Sequence, residues 1–88
     1  MTTVIKVLST ETPCNTVANT FGANKAVRLL NTDTSAHLIT QAYANGVTIG
    51  TITLGPAESF VFEKGLTDTL ASNNAAGLVK AVPVAFRN

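Results

Sequence analysis

Few side chains in this chain could do chemistry: one cysteine, one histidine and five acids among 88 residues. A cysteine nucleophile acts as the thiolate and needs a base or cation beside it. Cys14 has neither nearby in sequence, and the only histidine, His37, lies far along the chain. An inert, buried or half-buried thiol is therefore expected. His37 could serve as a general base or a ligand, because imidazole titrates near neutrality. No serine, cysteine or carboxylate is tied to it by a recognised spacing, so a surface or interface histidine is expected. Asp33, within Asn31-Thr32-Asp33-Thr34-Ser35, invites comparison with a calcium loop. Calcium takes several oxygen ligands, and no second carboxylate stands at short spacing, so Asp33 reads as a turn residue. No Cys/His cluster suits zinc. These residues assign no catalytic, cofactor-binding or metal position, and the chain is expected not to be an enzyme and to need no cofactor.

Size and charge point instead to association. A chain of 88 residues has room for one domain, residues 1–88, whose own core is thin. Disulfides, metals and oligomerisation are the usual supplements, and a lone cysteine with no zinc cluster leaves the third. Charged residues make up only 12% of the chain, against about 25% in typical domains. Lys6, Lys25, Arg28, Lys64, Lys80 and Arg87 are spread out and the net charge is +1, which gives no field to steer nucleic acid. No apolar run is long enough for a membrane helix, and the first residues lack the pattern of a signal peptide. The expected partners are proteins, including further copies of the chain, and neither nucleic acid nor membrane.

The elements that position these groups read as strands. Residues 38–63 suggest three strands joined by two hairpins, a meander. Asn45-Gly46 between Leu38-Ile39-Thr40-Gln41-Ala42-Tyr43 and Val47-Thr48-Ile49 fits a two-residue type I′ turn. The second break is Gly55-Pro56. Apolar parity switches at Gly50-Thr51, the sequence mark of a β-bulge. Ser59-Phe60-Val61-Phe62-Glu63 follows, with Phe60 and Phe62 expected at the centre of the core. Upstream, Lys25-Ala26-Val27-Arg28-Leu29-Leu30-Asn31 alternates as a half-covered strand. Residues 14–19 read as a short strand or an extended link, and Thr67-Asp68-Thr69-Leu70-Ala71 adds a short strand before a small-residue loop.

The two ends of the chain carry the expected contact surface. Thr3-Val4-Ile5-Lys6-Val7-Leu8 is partly apolar on both faces, and Val4, Lys6 and Leu8 share the face assigned to a neighbouring protein. Ser9-Thr10-Glu11-Thr12-Pro13 breaks this strand. Residues 78–86 alternate again, and Pro83, which has no N–H, puts this strand at a sheet edge or leaves one side unpaired there. Val4, Lys6, Leu8, Pro83, Phe86 and Arg87 form the expected partner interface. With no helical periodicity anywhere, the fold class is all-β: a small antiparallel β-sandwich or partly open barrel of about six to eight short strands.

Four segments carry a family resemblance: Val27-Arg28-Leu29-Leu30-Asn31-Thr32; Thr48-Ile49-Gly50-Thr51-Ile52-Thr53-Leu54-Gly55-Pro56; Glu63-Lys64-Gly65 with Thr67-Asp68-Thr69; and Val82-Pro83-Val84-Ala85-Phe86. Through them residues 25–86 resemble the small β-rich virion proteins of tailed bacteriophages, particularly marine and cyanobacterial phages. The resemblance implies a capsid decoration (cement) protein, assembled in the host cytoplasm and bound to the major capsid protein or other virion proteins. It also admits a tail, neck or fibre-associated module, or a carbohydrate-binding adhesion domain on the same particle. The chain has no Trp and one Tyr, so it lacks the aromatic platform on which sugars commonly stack.

Overall fold

Val27 and Leu29 are fully buried while Arg28 and Leu30 are half-buried, so the third strand has one face in the core as its alternation predicts. The same period governs the last strand, where Val79 and Ala81 are buried beside them. Residues 4–87 are described by the computed structural model; the side chains of Val4 and Arg87 lie outside the described residues, as does Thr3. The strands are β1 (Val4–Val7), β2 (Thr12–Pro13), β3 (Ala26–Asn31), β4 (His37–Ala42), β5 (Thr48–Leu54), β6 (Ser59–Glu63), β7 (Thr69–Ser72) and β8 (Val79–Arg87). They form two antiparallel sheets. The larger runs β1-β8-β3-β6, with β2 also on β8, and the smaller runs β5-β4-β7. Cys14, Phe21, Val27, Leu29, Ile39, Leu54, Leu70, Val79 and Ala81 make the core between them. The fold is a small β-sandwich.

Several local expectations change. The hairpin between β4 and β5 forms, but as a three-residue loop rather than a type I′ turn. The Gly46 N–H donates to the Tyr43 carbonyl, the Tyr43 N–H to the Val47 carbonyl, and only Gly46 takes a positive φ, of 90°. That is a type I turn closed by a left-handed glycine. The Asn45 side chain accepts from the Val47 N–H at 3.0 Å and so holds the corner. The bulge is present, with Gln41 opposite Gly50 and Ala42 opposite Thr48, which makes Ile49 the inserted residue.

The expected meander stops after β5. Gly55-Pro56 carries the chain across to the other sheet, where β6 pairs with β3. Asn31 at the end of β3 draws it there: its N–H donates to the Glu58 carbonyl and its carbonyl accepts from the Ala57 N–H. As the outer strand of the larger sheet, β6 lies beyond the reach of the narrower sheet. Phe60 is therefore 45% exposed, and Phe62 packs only against the margin of the core.

Of the two expectations for Pro83, the sheet edge does not hold and the interrupted pairing on one side does. Pro83 is buried in β8, which has neighbours on both sides. Opposite Val27 on one side, it faces the gap between β1 and β2 on the other. Its carbonyl accepts from the Leu8 N–H on that side. In an antiparallel strand N–H and C=O of one residue point the same way, so the missing donor also faces the gap. Residues 9–11 leave the sheet where β8 has no hydrogen to offer. Thr12 and Pro13, expected in the break, rejoin β8 opposite Ala81 and Lys80.

Candidate functional site

Val82 and Val84 share parity with Phe86, on the side of β8 turned away from the core, yet they are only 6% and 2% exposed. Two valines buried on the outside of a sheet need cover, and strand register shows what supplies it. Val7 lies opposite Val84, Ile5 opposite Phe86, and Arg28 opposite both Val82 and Val61. The outer face thus has a valine floor flanked by Val7 (59% exposed), Phe86 (53%), Ile5 (41%) and Val61 (39%). Arg28 crosses it and pairs with Glu11 at 2.7 Å. Both partners reach solvent, so the pair contributes little to stability and serves mainly to fix the arginine over the valines. The Arg28 Nε is buried without a hydrogen-bond partner, a consequence of lying against an apolar floor.

The residues assigned to the interface from sequence do not form one patch. Lys6 pairs with Ala85, on the face opposite to Phe86. Leu8 lines an opening with Lys25, Ala26, Leu66, Ala85 and Phe86, and there Leu8 and Leu66 are 42% and 49% exposed, so of the assigned residues Leu8 and Phe86 do come together. Phe86 belongs to the outer face, and Pro83 is buried. The side chains of Val4 and Arg87 lie outside the described residues. Sequence reading missed Ile5 and Val7 as outer-face residues. The signal was available: Ile5 and Val7 have one parity in β1, and Val82, Val84 and Phe86 one parity in β8.

A second apolar opening lies on the flank where β5 and β6 end their sheets. Ile39, Gln41, Ile49, Ile52 and Phe62 line it, with Ile49 and Ile52 42% and 44% exposed. The bulge puts both isoleucines on this side. Gln41 spans the opening, its Nε2 donating to the Glu63 carbonyl at 3.2 Å.

The chemistry-bearing residues are placed as follows. Cys14 is 1% exposed in the core, and burial pushes its thiol up to about 12, which keeps it protonated. His37 and Asp33, unconnected by any motif, meet at 2.6 Å between Nε2 and Oδ2. The Nδ1 of His37 lies 3.0 Å from Asn73 Oδ1, an oxygen that also accepts from the Leu38 N–H at 3.1 Å. The His37 hydrogen bond and the Thr34 N–H hold the Asp33 carboxyl below its ordinary range. Asn31 anchors the same loop. Its Nδ2 donates to the carbonyls of Ser35 and Leu54, each at 2.9 Å, and its Oδ1 accepts from the Asp33 N–H. The cluster ties the loop before β4 to the loop after β7. Among the described residues no three His, Cys, Asp or Glu side chains gather as a metal site.

No protein family, curated protein or solved structure matches this chain.

Proposed function

We propose that the chain is a non-enzymatic structural protein of a phage particle, a capsid decoration protein that lies against the shell by the outer face of its larger sheet. The exposed apolar face around Val82 and Val84 carries the docking part of this reading. The strand-and-turn segments that resemble small virion proteins carry the phage part. Four half-exposed side chains of the size of Ile5, Val7, Val61 and Phe86 present on the order of 300 Å². At about 25 cal/mol per Å² that contributes roughly 7 kcal/mol, within the ~4–15 kcal/mol that association costs. One copy would hold weakly, and many copies on a repeating lattice would reinforce it together. Such a face suits a surface that is continuous and itself sparsely charged. Sparse charge on this chain, 12% of residues, removes the repulsion that would oppose close spacing of neighbours.

Particle composition tests the proposal. Mass spectrometry of purified virions, with heads and tails separated, is expected to find the chain in stoichiometric amounts on heads. Its absence from virions overturns the proposal, and its confinement to tails overturns the capsid assignment.

A further inference from the structure

We propose that β5 is a self-association edge, at which two copies of the chain join antiparallel about a twofold axis at Ile52 to make one continuous six-stranded sheet. The inference goes beyond docking on a particle and holds or fails independently of it.

Edges of β-sheets present unpaired backbone groups, and proteins usually guard them by covering them or by charge. Cover protects β7: Asn19 and Leu70 exchange backbone hydrogen bonds, and the Ser72 N–H donates to the Asn15 carbonyl. The edge strands β1 and β6 are short and carry charge, Lys6 in one and Glu63 in the other. The edge strand β5 has seven residues, is exposed at six of them and carries no charge. Residues 38–57 contain no Asp, Glu, Lys, Arg or His. A second copy brought against this edge meets no like charge across the axis.

Hydrogen-bond direction selects the register. The Leu38 carbonyl accepts from the Asn73 N–H and the Leu38 N–H donates to the Asn73 side chain, so the backbone groups of Leu38 point away from β5. Alternation along the strand then turns those of His37, Ile39 and Gln41 toward β5, where they meet Leu54, Ile52 and Gly50. The N–H and C=O groups of Thr51 and Thr53 consequently face outward. The bulge at Ile49 and the turn at Gly55-Pro56 bound this regular run, and Ile52 is its centre. A twofold axis there sets Thr51 opposite Thr53 of the second copy, and each such pair can exchange both backbone hydrogen bonds. Ile52 meets its own counterpart at a non-hydrogen-bonded position, where side chains stand closest. These isoleucines lie on the side of the opening lined by Ile49 and Phe62, so pairing closes over apolar surface that one copy leaves exposed.

Sedimentation velocity of the full chain across micromolar to millimolar concentration is expected to show a monomer–dimer equilibrium. Thr53→Pro removes an outward donor without breaking the ladder to β4, and Ile52→Lys places like charges face to face. Each is expected to weaken the dimer at least about tenfold while leaving the circular dichroism and melting of the monomer intact. Ile52→Cys brings two thiols within disulfide range at the axis and is expected to crosslink under mild oxidant, with Leu66→Cys as the control that does not. A wild-type chain that stays monomeric throughout overturns the proposal. So does a dimer that Ile52→Cys fails to crosslink faster than Leu66→Cys, since another surface would then hold it. Dimer formation in solution is read without any particle, so its failure is distinct from absence of the chain from virions.

Discussion

Replacing Asn31 with alanine should destabilise the protein more than any other single truncation of a polar side chain. Asn31 is fully buried, and its amide satisfies three backbone groups: the Ser35 and Leu54 carbonyls and the Asp33 N–H. The bond to Leu54 is itself buried, so truncation strands that carbonyl at a cost of about 1–3 kcal/mol. The other two partners lie nearer solvent and can turn to water, at about 0.5–1 kcal/mol each. The sum is about 3 kcal/mol, a large share of the ~5–15 kcal/mol that holds a typical domain together. For a domain of this size it should lower Tm by about 12–24 °C. Urea unfolding of both proteins checks it, with the midpoint falling and the slope unchanged. A loss below about 1 kcal/mol would refute the reasoning, because the Leu54 carbonyl would then have another partner. Asn31→Asp refines the result. It keeps the acceptor for the Asp33 N–H but turns an oxygen toward two carbonyls, so it should destabilise more at pH 7 than under acid conditions where the new carboxyl is protonated.

Further predictions concern the termini of these loops and the thiol. The folded state holds the Asp33 carboxyl below its unfolded value, so its contribution is present above the unfolded pKa and is lost as pH falls through the folded one. Thermal melts between pH 6 and 2 should show that loss, and Asp33→Asn should flatten it. Cys14 has the opposite sign: its folded pKa is raised to about 12, so its contribution is complete below the unfolded thiol value and disappears as pH climbs toward 12. A thiol reagent at pH 8 should accordingly label Cys14 only as fast as the protein opens; rapid labelling of the native protein would contradict the burial. Gly46→Ala should lower stability by about 1 kcal/mol, measured by urea unfolding, since φ is 90° there. A Cβ at that position would meet nothing within 4 Å, so backbone strain alone is being tested.

What could be read from the sequence was the part dictated by period. Val27 and Leu29 announced β3, and the alternation of residues 78–86 announced β8, because a half-buried strand leaves a two-residue rhythm. Gly46 announced a hairpin, although Ala44 and Asn45 made its loop one residue longer than the two-residue reading. Alternation does not say which sheet a strand joins or how far the facing sheet extends. Phe60 and Phe62 thus carried a core-like rhythm and landed on an outer strand. The missing donor of Pro83 announced a sheet edge or an unpaired side, and the second holds: a central strand tolerates the loss where the neighbouring chain departs at residues 9–11. The Asp33–His37 pair and the anchoring by Asn31 depend on loops meeting across the sandwich, which no spacing in the chain records. The outer face escaped notice for a related reason: its apolar residues come from β1, β6 and β8, with Arg28 of β3 between them, and only register assembles them.

The most direct test of docking by the outer face is an add-back experiment on particles that lack the protein. Labelled chain carrying Val7→Asp or Phe86→Asp should fold normally, as judged by circular dichroism and melting, and should lose particle binding. Val47→Asp, beside the β4–β5 loop of the smaller sheet and 57% exposed, should bind as the unaltered chain does. If the two outer-face variants bind as well as Val47→Asp, the apolar face around Val82 and Val84 is not where the protein meets the shell.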